Sequence, residues 1–219
     1  VIGNILSERS SFSQSLDYYM KALAIDDSLN DKSSIGDLYN NIGLVYEEEG
    51  DFVKALDYYQ KATKLYEELN SKSSMSAVYT NIGNIYQAQN NNKKALDYYF
   101  KALDIDKGLR HDGDVALDYS NIGTIYTALG NYEKSLECLF TALGINEKEG
   151  LKNDITISTA NIGLAFIKSY RHDSTHKGCT YTVNGATVHV NYTDLLDSAT
   201  YYDQKSITTS NITKNRLSL

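Results

Sequence analysis

Four side chains able to ligate a metal gather in one short stretch of the sequence: His172, His176, Cys179 and His189. Imidazole nitrogens and thiolates are zinc ligands, and four of them can close a tetrahedral structural site. The spacing matches no standard finger, however, and Cys179 and His189 fall on opposite faces of the strands expected around them. The stretch reads instead as solvated histidines and a buried cysteine, with no metal or other cofactor expected. A second pattern is a row of carboxamides. Asn41, Asn81, Asn121 and Asn161 recur every 40 residues, each followed by Ile-Gly. A side-chain amide both donates and accepts, so such a row can bond the main chain of an extended peptide whatever its sequence. The alternative is that each asparagine bonds the neighbouring repeat. No phosphate-binding glycine loop, nucleophile elbow, HExxH or kinase signature occurs, so no enzyme activity is expected.

The elements that position the asparagines follow from the same period. A unit that recurs every 20–50 residues is the signature of a solenoid, in which each unit buries its apolar face only against its neighbours. In the second unit Tyr39, Ile42, Gly43 and Tyr46 lie at i, i+3, i+4 and i+7, one stripe of an amphipathic helix that starts near Ser34. Gly50-Asp51 ends that helix, with Asp51 placed to cap the next. The second helix carries Phe52, Ala55, Leu56, Tyr59, Ala62, Leu65, Tyr66 and Leu69 on one face, and Asn70-Ser71-Lys72-Ser73 closes the unit. Proline is absent, which suits uninterrupted helices. The units run over about 1–33, 34–73, 74–113, 114–153 and 154–219 of a single domain spanning 1–219.

With these residues in place the chain resembles the tetratricopeptide repeat family. The family pattern of an aromatic, Leu-Gly, Tyr, Ala and a second aromatic is met by Tyr39, Ile42-Gly43, Tyr46, Ala55 and Tyr59. The third unit matches with Tyr79, Ile82-Gly83, Tyr86, Ala95 and Tyr99. The fourth keeps Tyr119, Ile122-Gly123 and Tyr126 but has Ser135 and Leu139. The family unit is 34 residues and this one is 40, which resembles the long-repeat form of kinesin light chains, spindle-orientation adaptors and bacterial sensor regions. The surplus falls after Ala62 and predicts a lengthened second helix. The fold implied is an all-α, right-handed α-solenoid of helix-turn-helix repeats with one β-hairpin insertion in the last repeat.

The resemblance places the asparagines on the inner, concave wall, where a repeated polar residue offers nothing to a core and peptide contact is the preferred role. The implied peptide-binding residues are Asn41, Asn81, Asn121 and Asn161, with Asn40, Asn84, Glu47, Glu48, Gln87 and Thr124 beside them. The wall runs from acidic near Glu47 and Glu48 to neutral and apolar at Leu117, Ile157 and Leu164. The basic clamp of the family's chaperone-tail binders is replaced by neutral residues such as Asn40, Ala77 and Leu117, which disfavours that partner.

The fifth unit departs from the pattern. Its first helix begins at Asn161-Ile162-Gly163, yet the second reappears only at Leu195-Leu196, so residues 171–194 read as an insertion. Within it, 179–190 reads as a hairpin around Asn184-Gly185. Pairing there puts Cys179, Tyr181, Val183, Ala186, Val188 and Val190 on one face. That hairpin is a candidate for self-association or partner docking, since an uncovered strand edge is a template for pairing; capping of the solenoid is the next reading.

Composition narrows the partners. The formal net charge of −7 over 219 residues argues against nucleic acid or an anionic membrane, both of which need a basic footprint. Two cysteines make no disulfide framework, and a reducing, cytoplasmic setting is expected. The chain opens in the register of the repeat, which predicts a piece of a longer protein. The leading functional expectation is a non-enzymatic protein- or peptide-binding scaffold. The runner-up is a ligand-sensing module of a larger signalling protein, whether kinase, cyclase or transcription regulator. A metal- or redox-responsive insert is the third.

Overall fold

The computed structural model describes residues 12–172, together with the backbone of 179–183 and 186–190. Eight helices precede two strands among them: α1 (Phe12–Leu29), α2 (Lys32–Glu48), α3 (Phe52–Glu68), α4 (Lys72–Ala88), α5 (Asn92–Leu109), α6 (Asp112–Ala128), α7 (Tyr132–Glu149) and α8 (Lys152–His172), then β1 (Cys179–Val183) and β2 (Ala186–Val190). None of these helices is long and apolar enough to cross a membrane.

Helix ends are set by local chemistry every twenty residues. Asn30, Gly50, Asn70, Asn90, Arg110, Gly130 and Gly150 all adopt positive φ, the left-handed stop that releases a chain from a helix. At Gly50 the stop is a Schellman turn, in which Asp51 N donates to Tyr46 O at 2.9 Å and Gly50 N donates to Glu47 O at 3.0 Å. Where the next residue is Asp31, Asp51, Asn91 or Asn131, its side chain caps the following helix. Asp51 accepts from Lys54 N at 3.2 Å, and Asp31 accepts from Ser34 N at 3.1 Å. The Asp31 cap starts α2 at Lys32, two residues before the start expected from the pattern. Helix α3 continues past Ala62 to Glu68, which places the surplus residues inside it, but α2 reaches the same 17 residues.

The chain forms two compact units, 1–105 and 106–219, with the boundary inside α5. In the first, Ala55, Tyr59, Ala62 and Tyr66 of α3 are buried with Val78, Ile82 and Ile85 of α4. Close approach within each helix pair rests on glycine. A Cβ at Gly43 would lie 2.6 Å from Tyr59 Cε1, and one at Gly83 would lie 2.6 Å from Tyr99 Cε1. Half-buried tyrosines fill the remaining gaps with repeating geometry. Tyr58 stacks on Tyr46 and Tyr98 on Tyr86, each with ring centroids 5.6 Å apart. Lys61 lies 4.4 Å over Tyr58 and Lys101 lies 4.7 Å over Tyr98, each a cation–π contact.

In the second unit Leu136, Leu139 and Leu143 of α7 pack with Ile162, Ala165 and Phe166 of α8. Position 138, where the earlier repeats hold the stacking tyrosine, is Cys138. Strand β1 runs beside α7, and the strands pair antiparallel with Cys179 opposite Val190, Tyr181 opposite Val188 and Val183 opposite Ala186. The fifth unit's second helix, expected around Leu195–Ala199, lies outside the described residues, and so does the completion of the insertion.

Candidate functional site

The first helices α2, α4, α6 and α8 carry the four ladder asparagines one full repeat apart, and all four are half-buried. In the first unit Asn81 Nδ2 donates to Asn40 Oδ1 at 3.1 Å. This rung thus bridges two repeats, and the bond fixes the orientation of both amides. In the second unit Asn121 and Asn161 line one cavity of about 310 Å³. Leu117 and Ile157, 52% and 54% exposed, stand beside them in the same lining. Ser120 and Ser158 line it too.

Several of the neighbouring polar residues expected on the inner wall serve the fold. Tyr59 Oη donates to Glu47 Oε2 at 2.6 Å. Burial holds the Glu47 carboxyl above its ordinary range, although the tyrosine bond pulls it down and neighbouring Glu48 pushes it further up. One repeat later Tyr99 Oη lies 2.7 Å from both Asn84 Oδ1 and Gln87 Oε1. Tyr66 Oη likewise donates to Asp37 Oδ1 at 2.7 Å. Where the fourth repeat replaces the tyrosine by Leu139, the hydroxyls of Thr127 and Ser135 share a bond of 2.5 Å instead. Thr124 donates back to Ser120 O in its own helix at 2.9 Å. Glu48 is exposed. These tyrosine hydroxyls are how the fold satisfies polar groups at the foot of each helix pair, because a buried phenol needs a partner.

Of the histidine and cysteine quartet, the described residues include His172 and the backbone at Cys179 and His189. Cys179 pairs with Val190, and His189 pairs with Thr180, across the hairpin. His172 packs edge-on against the ring of Tyr132 at 5.8 Å, and His176 lies outside the described residues. Cys138, the cysteine outside that stretch, lies on α7. Burial, reinforced by the charge of Glu137, pushes it up to about 12, so almost no thiolate forms at neutral pH.

Missed by sequence reasoning was Asn146, a buried residue of the second helix α7 that lines the same cavity as Asn121 and Asn161. Its Nδ2 donates to Ser158 Oγ at 3.1 Å. Asp114 and Asp154, in the first turns of α6 and α8, line it as well. The sign that could have found Asn146 is its place in the second-helix apolar stripe, where Asp106 and Tyr66 stand one and two repeats earlier.

Models of the tetratricopeptide repeat match residues 1–68, 34–108 and 74–148 in overlapping frames. The chain belongs to the tetratricopeptide repeat family. Tetratricopeptide repeats generally mediate protein–protein interaction, and proteins built from them are generally non-enzymatic scaffolds. Solved structures share the α-solenoid fold. BtubC (BKLC) from P. vanneervenii is similar with a TM-score of 0.76 at 17% identity, covering 97% of this chain and 78% of that one. A signal transduction ATPase with numerous domains and a tetratricopeptide repeat sensor, from Pyrococcus horikoshii, gives 0.69 at 19% identity, over 78% of this chain and 28% of that one. A kinesin light chain-like protein of Podosopora anserina, with nearly identical TPR-like repeats, gives 0.67 at 12% identity over 94% and 93%. No curated protein sequence matches the chain.

Proposed function

We propose that this tetratricopeptide repeat chain is a non-enzymatic module that binds an extended protein or peptide segment on the first helices of its repeats. The observation that carries the reading is the lining of the second-unit cavity. Asn121 and Asn161, one repeat apart, line it together with the exposed side chains of Leu117 and Ile157. Amides that donate and accept suit a peptide main chain, and uncovered apolar side chains suit the residues between. The acidic balance of the chain favours a segment with basic or neutral residues, through steering and rejection of like charge. Exposed Glu48 adds to that preference in the first unit, where Glu47 is already committed to Tyr59.

The test is a double substitution, Asn121→Ala with Asn161→Ala. Against a peptide selected on the full chain, it should weaken binding by about 1–3 kcal/mol, the range for hydrogen bonds left unmade. Unchanged affinity, with helicity retained by circular dichroism, removes the asparagines from the interface.

The same reading assigns residues 171–194 as an insertion in the fifth repeat whose hairpin caps the last helix pair. The run of β1 beside α7 supports capping. Self-association through the hairpin is the competing role.

A further inference from the structure

The second-unit cavity carries a demand that the asparagine row does not explain. Asn146 is 3% exposed, and while Nδ2 is bonded to Ser158, Oδ1 has no hydrogen-bond partner among the described residues. Buried polar atoms without partners are uncommon and call for a donor from water or a ligand. The charge around the cavity says which ligand. Among the described residues its lining holds Asp114 and Asp154 and no Lys, Arg or His. His111 Nδ1 approaches Asp114 Oδ2 at 3.4 Å from outside that lining. The field therefore favours a cationic donor and rejects an anion, whichever way the Asn146 amide is turned. Leu117 and Ile157 supply apolar walls, and a volume of about 310 Å³ sits at the low end of ligand pockets, about 300–1,000 Å³, where one side chain fits better than a larger molecule.

We propose that this cavity receives the arginine or lysine side chain of a bound peptide. The charged head meets Asp114, Asp154 and Asn146, and the alkyl stem lies between Leu117 and Ile157. Long basic side chains bury an aliphatic stem while the head keeps polar company, and the guanidinium fork of arginine can serve several acceptors at once. This specificity rests on the peptide-binding reading above and adds to it the residue the peptide must carry.

Two probes test it on the full chain. Fluorescein-labelled octapeptide pools, each with one fixed residue among randomised positions, are titrated by anisotropy. In parallel, N-butylguanidinium and its uncharged analogue N-butylurea are titrated by NMR, with the side-chain amide of Asn146 observed. Pools fixed as Arg or Lys should bind about three- to tenfold more tightly than pools fixed as Leu or Glu, the sum expected of two exposed ion pairs. The double variant Asp114→Asn, Asp154→Asn should erase that margin; both residues are exposed, so the fold is kept. Butylguanidinium, and not butylurea, should shift Asn146. Pools that bind with no basic preference, or with one that survives the double variant, overturn this inference and leave peptide binding standing. A shift of Asn146 by butylguanidinium with no pool bound overturns the peptide source and makes the cavity a site for a free cation. Silence from both probes overturns the inference and the peptide reading together.

Discussion

Replacing Gly83 by alanine adds a single methyl group, and the structure says where it goes. It would lie 2.6 Å from Tyr99 Cε1 and 2.7 Å from Cδ1, inside any real carbon–carbon contact. The ring cannot easily retreat: Tyr99 is fully buried, and its hydroxyl is held at 2.7 Å by both Asn84 and Gln87. Overpacking of this kind costs about 1–3 kcal/mol. Moving the ring also stretches the hydrogen bond that its one hydroxyl proton makes to these acceptors, worth about 0.5–1.5 kcal/mol. Against this, alanine improves helix propensity by about 1 kcal/mol. The net is a loss of roughly 0.5–3.5 kcal/mol. Gly144→Ala, in the exposed middle of α7, meets nothing within 4 Å and should gain about 0.5–1 kcal/mol. The assay is urea denaturation followed by helicity, comparing midpoints because a repeat array need not unfold in two states. The two substitutions should move the midpoint in opposite directions. In the background of Tyr99→Ala the cost of Gly83→Ala should largely vanish. A Gly83→Ala protein as stable as the parent would refute the packing argument.

Glu47→Gln should raise the urea midpoint at neutral pH, because a carboxyl held above its ordinary range by burial contributes stability below its unfolded value and loses it as pH rises through its folded value. The next repeat already holds Gln87 in that place, bonded to its tyrosine. The gain should disappear on acidification below the carboxylate range, and a destabilised variant at neutral pH would contradict the assignment. Deleting 171–194 should leave a helical protein of unchanged association state by light scattering if the hairpin caps the last repeat. Conversion of an oligomeric parent to monomer would assign the hairpin to self-association instead.

The helix-turn-helix repeats were legible because one residue type per position decides them. The Gly50-Asp51 stop and cap, the Gly43 and Gly83 contacts and the buried Ala55 and Tyr59 all follow from local sterics and spacing. The roles of polar residues were less legible, since a polar side chain's partner depends on a helix 12 or more residues away. Glu47 looked like a groove carboxylate until Tyr59 came within 2.6 Å of it. Asn81 was read as a ligand contact, and its Nδ2 also bonds Asn40 of the preceding repeat. The cavity lining was hidden for a related reason: Asn146 sits on the second helix, outside the first-helix row that the period singles out. Asp114 and Asp154 sit in first turns, where acidic residues are ordinary companions of a helix N-terminus.

Hydrogen exchange on the full chain, with and without a saturating selected peptide, tests the central claim most directly. The account predicts that new protection falls on α6 and α8, around Asn121 and Asn161, and on α7 near Asn146, with the second helices α3 and α5 little changed. Protection confined to the second helices or to the hairpin, with the first helices unaffected, would contradict it.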